Sequence, residues 1–151
     1  MREIKYRAKS LENIETHIDS IEIGDWVYGY YYFDRANMCG VIVTELQEES
    51  GGVGSGIVQY HVKVDYKTVG SFTGLLDKNK KEIWEGDILR RNSCWDIQIV
   101  FNEEKACFGF LAIDWSVTQG NIIGITKNFI KEYEIIGNQF ENPELLEASN
   151  E

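Results

Sequence analysis

Apolar and polar residues alternate along most of this chain, and this period of two restricts the fold more than any other feature of the sequence. Residues 58–64 place Val, Tyr, Val and Val on one side, and residues 4–9 alternate apolar side chains with lysine and arginine. Fourteen glycines and one proline suit strands that are joined by glycine and asparagine turns. The sequence therefore predicts an all-β, mainly antiparallel protein.

Turn residues divide this pattern into segments. Strands are predicted at 4–9, 26–33, 40–43, 58–64, 88–91, 95–101, 108–113, 122–125 and 133–137. Residues 34–37 are typical of a hairpin turn, and the glycine-rich residues 50–56 indicate a hairpin tip rather than a linker. Residues 11–18 carry apolar side chains at helix-like spacing, so a single helical turn and a loop fit equally. Residues 68–72 and a turn-rich stretch to Gly86 open the second half.

The C-terminal residues predict a short helix that carries an apolar arm. Asn142 stands at the N-cap position, Pro143 at the first helical position and Glu144 in the first turn, an order that favours a helix start. Leu145 and Leu146 follow directly. We expect this arm to dock on a neighbouring molecule.

The length allows either one or two units. A chain of 151 residues can hide roughly 70% of its unfolded surface and so build one compact unit. It can equally form two β modules, 1–72 and 73–151, the second barrel-like and carrying the terminal arm. Gly24-Asp25 and Gly86-Asp87 each precede a predicted strand. A glycine for the turn and an aspartate that caps nearby amides explain this echo without common ancestry.

The segment from Trp26 to Phe33 is the most aromatic part of the chain. Its even-numbered positions hold one tryptophan and three tyrosines, and its odd positions also hold large apolar residues. Such a strand is expected to be buried on both faces. A base-stacking platform is the alternative, but it needs cations among the aromatic rings. Only Arg35 lies nearby in sequence, so we predict core packing.

Acidic residues outnumber basic ones by 25 to 15, which gives a formal net charge of -10. A chain of this charge repels nucleic acid unless its cations are segregated. The segregation is partial, because residues 1–10 are basic whereas the chain from Glu103 onward is acidic. The predicted basic surface consists of Lys78, Lys80, Lys81, Arg90 and Arg91.

The sequence predicts a cytoplasmic protein. The N-terminus has no apolar region or cleavage site of a secretory signal. The longest uncharged apolar stretch has eight residues, from Trp26 to Phe33, whereas a membrane span needs about 20. Cys39, Cys94 and Cys107 are widely spaced and lack a C-x-x-C pair. We expect them to be reduced and to act as small buried residues on strands.

No pattern of reactive residues stands out, so we predict no enzyme, no cofactor and no metal. The densest acidic group consists of Asp77, Glu82, Glu85 and Asp87, which lie among lysines as in a charge-balanced loop. His17 and His61 are predicted surface histidines without a ligand pattern. Residues 50–56 lack the Lys-Ser/Thr ending of a phosphate loop. A hydrolase would need the acids of 77–87 to meet Asp25 or His61 in a cleft.

One motif carries a family resemblance. Residues 73–88 read TGLLDKNKKEIWEGDI, and this segment resembles the YopX-type family of phage and prophage proteins. Three further segments agree with that family: MREIKYRA at 1–8, VD with TVG at 64–70, and YEIIGNQFENPEL at 133–145. The family usually has Gly where Lys80 stands and Pro-Glu where Tyr66-Lys67 stand. Since an Asn-Gly turn needs positive φ, Lys80 predicts another turn type or local strain.

The resemblance implies a β-rich fold, a phage-derived origin and self-association, and it carries over no catalytic residue. The residues that match the family motif read as turn, cap and helix-start positions. They are Gly74, Glu85, Gly86, Asp87, Gly137, Asn138, Asn142 and Pro143.

Three functions remain open at this point. The first is a non-enzymatic binding or assembly module of phage biology, whose partners are a second copy of the chain and an unidentified phage or host protein. The second is a nucleic-acid-associated accessory protein, which acts by direct contact or by imitating DNA with its acids. The third is an acid-dependent hydrolase.

Overall fold

The computed structural model describes residues 3–50, 54–92 and 94–147. The described chain divides into two compact units, residues 3–71 and residues 72–147. All strand pairings are antiparallel, and three helices of four residues each complete the described structure. The predicted all-β class and the short C-terminal helix are confirmed. No helix in the described ranges is long and apolar enough to cross a membrane.

The first unit is built from strands that close on themselves. They are β1 (Tyr6–Ser10), β2 (Ile14–Glu15), β3 (Ser20–Ile21), β4 (Trp26–Asp34), β5 (Cys39–Ser50) and β6 (Gly54–Leu76), whose last residues belong to the second unit. The order is β1-β4-β5-β6, and β1 also pairs with β6, so the sheet forms a small barrel. The core of this unit consists of Ala8, Ile21, Val27, Ile42, Val62 and Val64.

Two predictions for this unit need correction. Residues 11–18 contain neither a helical turn nor only a loop, because β2 pairs with β3 and Ile14 packs against the core. The run from Trp26 to Phe33 is not buried on both faces. Val27 is 2% exposed, but Tyr28, Tyr30 and Tyr32 are 46%, 70% and 44% exposed. A strand of a single-layered barrel has one inner face, so its alternate side chains must point outward.

The second unit holds an antiparallel sheet of order β11-β10-β9-β8-β12. Its strands are β7 (Glu82–Trp84), β8 (Asp87–Arg90), β9 (Ile97–Asn102), β10 (Cys107–Ala112), β11 (Ile123–Gly124) and β12 (Glu134–Asn138), and its helices are α1 (Trp115–Thr118), α2 (Lys127–Ile130) and α3 (Glu144–Glu147). β7 pairs with the end of β6. Its core consists of Ile83, Leu89, Ile97, Ile99, Phe110, Ile130 and Tyr133.

The two Gly-Asp pairs, Gly24-Asp25 and Gly86-Asp87, form turns of the same type. Gly24 has φ +93° and Gly86 has φ +87°, values that favour glycine. The Asp25 carboxylate accepts a hydrogen bond of 2.9 Å from the amide of Glu22. Asp87 does the same with the amide three residues before it, at 2.8 Å. The predicted roles of turn glycine and capping aspartate are therefore confirmed.

Lys80 occupies a left-handed position in the turn that follows β6. Its φ is +66°, a conformation that costs a lysine about 1–2 kcal/mol. Its amide donates to the Asp77 carbonyl at 3.1 Å, and the Asp77 amide donates to the Lys81 carbonyl at 2.9 Å. The local strain predicted at this position is confirmed.

Helix α3 begins at Glu144, one residue after the predicted start at Pro143, and Asn142 acts differently from a usual cap. Its carbonyl accepts the amide of Leu145 at 3.0 Å, whereas its side-chain oxygen accepts the amide of Asn138 at 3.3 Å. Leu145 lies beside Gly137 of β12. Leu145 and Leu146 are both half-buried, so the expected docking arm packs on its own unit.

The three cysteines are free thiols. Cys39 begins β5 and is half-buried, Cys107 begins β10 and is exposed, and Cys94 lies between β8 and β9. The prediction that all three are buried strand residues is therefore wrong. Cys107 can face water because it begins its strand, before the buried Phe108.

Candidate functional site

Two acidic residues of 77–87, Asp77 and Asp87, bind backbone amides and do not meet in a cleft. The Asp77 carboxylate is 3% exposed. One of its oxygens accepts the amides of Asn79 and Lys81 at 2.7 and 2.9 Å, and the other accepts the amide of Ile135 at 3.2 Å. A buried carboxylate that accepts three amides joins a turn to a distant strand. Asp77 therefore stabilises the fold.

The other predicted catalytic candidates do not form a metal site. Asp87 is 1% exposed and binds the amide of Trp84. Glu82 and Glu85 are half-buried, and both make further interactions. Asp25 caps the amide of Glu22. Across 3–50, 54–92 and 94–147, no three His, Cys, Asp or Glu side chains are grouped so that they could hold a metal ion.

The predicted basic surface is largely neutralised. Its ion pairs are Lys78 with Glu134 at 2.7 Å, Arg90 with Asp96 at 2.7 Å and Arg91 with Glu132 at 3.0 Å. Arg90 binds both carboxylate oxygens of its partner, which raises the pKa of the guanidinium. In the described parts of the chain, Lys80 and Lys81 are exposed and have no carboxylate within 4.0 Å. A phosphate would have to compete with acids for most of these cations.

A cavity of about 380 Å³ lies in the second unit. Its lining includes Leu111, Ile113, Thr118 and Leu146. The Thr118 hydroxyl is buried and has no hydrogen-bond partner among the residues that the structure describes. Leu146 of the terminal arm therefore borders an apolar cavity of its own unit.

The outer face of β4 carries the most exposed aromatic surface. Tyr28, Tyr30 and Tyr32 alternate along it, and we call these three residues the tyrosine stripe. Between Tyr30 and Tyr32, the side chain of Tyr31 points inward, where it packs against the core with its ring 5.9 Å from that of Tyr6. Burial raises the pKa of Tyr31. The strand that carries the stripe therefore packs with its other face against the barrel core.

Strands β5 and β6 extend this face sideways. Tyr30 lies opposite Val43 and Val43 opposite His61, so the three side chains share the outer face. Tyr32 and His61 are joined by a hydrogen bond of 3.2 Å between the hydroxyl and Nδ1. Lys63 is the next outward residue of β6. The histidine is therefore part of an aromatic surface, not a metal site.

Strand β1 brings cations to the same face. Arg7 lies opposite Tyr28, and Lys9 lies opposite Trp26. The Arg7 guanidinium is 4.4 Å and the Lys9 ammonium 4.3 Å from the centre of the Trp26 ring, within the range of cation–π attraction. The expectation that Arg35 is the only cation near these aromatic residues is therefore wrong. The cations come from a paired strand and not from sequence neighbours.

A depression of about 370 Å³ lies along the stripe. Its lining includes Lys5, Tyr28, Tyr30, Val43 and Glu45. Lys5 is 3.4 Å from the carboxylate of Glu3, so the depression holds both charges. At the far end of β4, side-chain and backbone hydrogen bonds from Asn37 lower the pKa of Asp34. Apolar, aromatic and mixed polar groups make this face suited to binding rather than to proton transfer.

Comparison with known proteins agrees with the motif at 73–88. The family model of YopX protein matches residues 24–147. The chain belongs to the YopX family. Among solved structures, it is similar to the crystal structure of protein EF1440 from Enterococcus faecalis, at 23% identity and a TM-score of 0.51, over 97% of this chain and 99% of that chain. At this identity, the likeness shows the fold alone. A comparison with curated proteins finds no match.

Proposed function

We propose that this member of the YopX family is a phage-derived, non-enzymatic binding module that acts in the cytoplasm and holds a phage or host protein on its tyrosine stripe. The observation that carries the proposal is the exposure of three tyrosines on one face of one strand. Tyrosine supplies a large contact area at low entropic cost, and exposed aromatic patches mark protein interfaces. The binding module is the simplest function that uses this face.

Two further observations support this proposal. The buried carboxylates of Asp77 and Asp87 are occupied by backbone amides, so neither is poised to activate a water molecule. The thiols of Cys39, Cys94 and Cys107 are free, as is usual for proteins of reducing compartments. The phage origin follows the family resemblance of the sequence.

The tyrosine stripe can be tested by affinity capture from infected host cells. We expect Tyr30→Ala to lower the affinity for the captured partner by about 30-fold or more, because central interface tyrosines contribute about 2 kcal/mol or more. Tyr66→Ala is the matched control, since Tyr66 is also an exposed tyrosine but lies near Phe33 outside the stripe. Equal capture by wild type and Tyr30→Ala would contradict the assignment.

Contact with single-stranded nucleic acid is the second candidate. It is favoured by the Lys9 ammonium, which lies 4.3 Å from the centre of the Trp26 ring on the strand that carries the tyrosine stripe, since aromatic rings beside basic side chains are typical of single-strand binders. Anisotropy of a labelled oligonucleotide at rising salt tests it. This candidate predicts salt-sensitive binding that Tyr30→Ala weakens by about 5- to 100-fold. An oligonucleotide that does not bind at low salt would remove it.

A further inference from the structure

The edge of β6 is a surface separate from the tyrosine stripe, and its pairing does not depend on what binds the stripe. Residues 54–62 of β6 pair with β5 on one side. On the other side, the pairing of β6 with β1 begins at Val64 and continues toward the end of β6, and the amide of Leu11 binds the carbonyl of Lys63. In the described structure no strand pairs with that side of 54–62, which we call the open edge.

The backbone groups that face the open edge follow from the ladder. The amide of Lys63 donates to the Glu12 carboxylate and its carbonyl accepts from Leu11, so both groups point away from β5. In an antiparallel ladder every second residue does the same. Ile57, Gln59 and His61 therefore present their amides and carbonyls outward, and these groups have no partner among the described residues.

The open edge lacks the usual protection of an edge strand. Exposed edges normally carry charges, proline or a bulge. Residues 54–62 read GSGIVQYHV, with no charge and no proline, and their ladder with β5 runs without a register shift. The opposite edge of this hairpin is covered, because Thr16 and Asp19 bind the carbonyl and the amide of Gln47. In the described structure no such contact covers the open edge.

We propose that the open edge pairs antiparallel with the same edge of a second copy of this chain, with Gln59 opposite Gln59 at a two-fold axis. Ile57 of each copy then lies opposite His61 of the other. The outward amides and carbonyls form about six hydrogen bonds between the copies. The outer faces of the two barrels lie on the same side of the joined sheet, since an antiparallel pair keeps opposite residues on one face.

The absence of acidic, lysine and arginine residues from 54–62 favours a second copy as the occupant, because two such edges meet without like charges. In the register with Gln59 at the axis, no acidic, lysine or arginine side chain of 54–62 lies opposite a like charge, and the exposed Ile57 lies opposite His61. The nearest acids on the outer face, Glu45 and Glu49, belong to β5. In the joined sheet β5 of one copy is three strand spacings from β5 of the other, about 14 Å. This exceeds the Debye length of about 8 Å in physiological salt, so the acids of the two copies repel each other little.

Light scattering over a concentration series tests the proposal. Wild type is expected to reach twice the monomer mass. Gln59→Pro should weaken dimerisation by about 30-fold or more, because it removes two central hydrogen bonds without touching the ladder to β5. Gln59→Lys should weaken it by about threefold or more, because two lysines would face each other at the axis. Gln47→Lys, the same change on the outer face of β5, should leave it unchanged.

Amide hydrogen exchange locates the contact. Ile57, Gln59 and His61 should gain protection as the protein concentration rises, and Tyr30→Ala should dimerise like wild type. Far-ultraviolet circular dichroism checks that each variant is folded. If Gln59→Pro is unfolded, the dimerisation of Gln59→Lys alone tests the proposal. A wild-type monomer at high concentration, a trimer, or a dimer that neither Gln59 variant weakens would overturn the proposal.

Discussion

Replacing Asp77 with alanine should lower the free energy of unfolding of the second unit by about 3–5 kcal/mol. The carboxylate is buried and accepts three backbone amides, two in its own turn and one at Ile135. Alanine would leave these donors without their acceptor, and a buried unsatisfied amide costs about 1–3 kcal/mol. Urea titration followed by amide exchange at Ile135 and its neighbours measures the loss in this unit.

Two further substitutions separate hydrogen bonding from side-chain size. Asp77→Asn keeps one oxygen but turns an NH₂ group toward either Ile135 or the turn, so we expect an intermediate loss of about 1–3 kcal/mol. Asp114→Ala is the control, because Asp114 is exposed and its side chain binds only Ser116 within the described chain. It should cost less than about 1 kcal/mol. Equal stability of Asp77→Ala and Asp114→Ala would refute the role given to Asp77.

Local rules account for the parts of the fold that the sequence predicts correctly. Strands and hairpins follow from alternation and turn residues, which act over a few neighbouring positions. The turns at Gly24-Asp25 and Gly86-Asp87 are examples, since both the positive φ and the capped amide lie within four residues. Helix α2 was missed although Thr126 caps it, because a single turn shows no periodicity.

The candidate site depends on pairings between distant segments, and these explain what the sequence could not predict. The outer face of β4 is exposed because β1 closes the barrel on β6. The cations beside Trp26 come from Arg7 and Lys9, about twenty positions away, through the pairing of β1 with β4. Counting cations near Trp26 in sequence therefore gives the wrong answer. The predicted basic surface is largely neutralised for a similar reason. The acids that pair with Lys78 and Arg91 are distant in sequence, since they come from β12 and the residues before it.

The substitution Gly29→Ala should destabilise the first unit by about 3 kcal/mol or more. Gly29 lies between Tyr28 and Tyr30 with φ +156°, and a Cβ at this position would clash with the carbonyl oxygen of Val43. Backbone atoms of β5 cannot move aside as a flexible side chain could. Overpacking costs about 1–3 kcal/mol and an unfavourable φ a similar amount. Urea titration followed by tryptophan fluorescence, which includes Trp26, measures the change.

Gly24→Ala is the matched control for Gly29→Ala. Gly24 has φ +93°, and a Cβ there would meet nothing within 4 Å. It should therefore cost only the backbone strain of about 1–2 kcal/mol. The difference between the two variants isolates the close approach of β4 to β5 beneath the tyrosine stripe. If that approach positions Tyr30, Gly29→Ala must also weaken partner capture in molecules that remain folded, and Gly24→Ala must not. Equal losses of stability in both variants would mean that β4 and β5 are farther apart at Gly29.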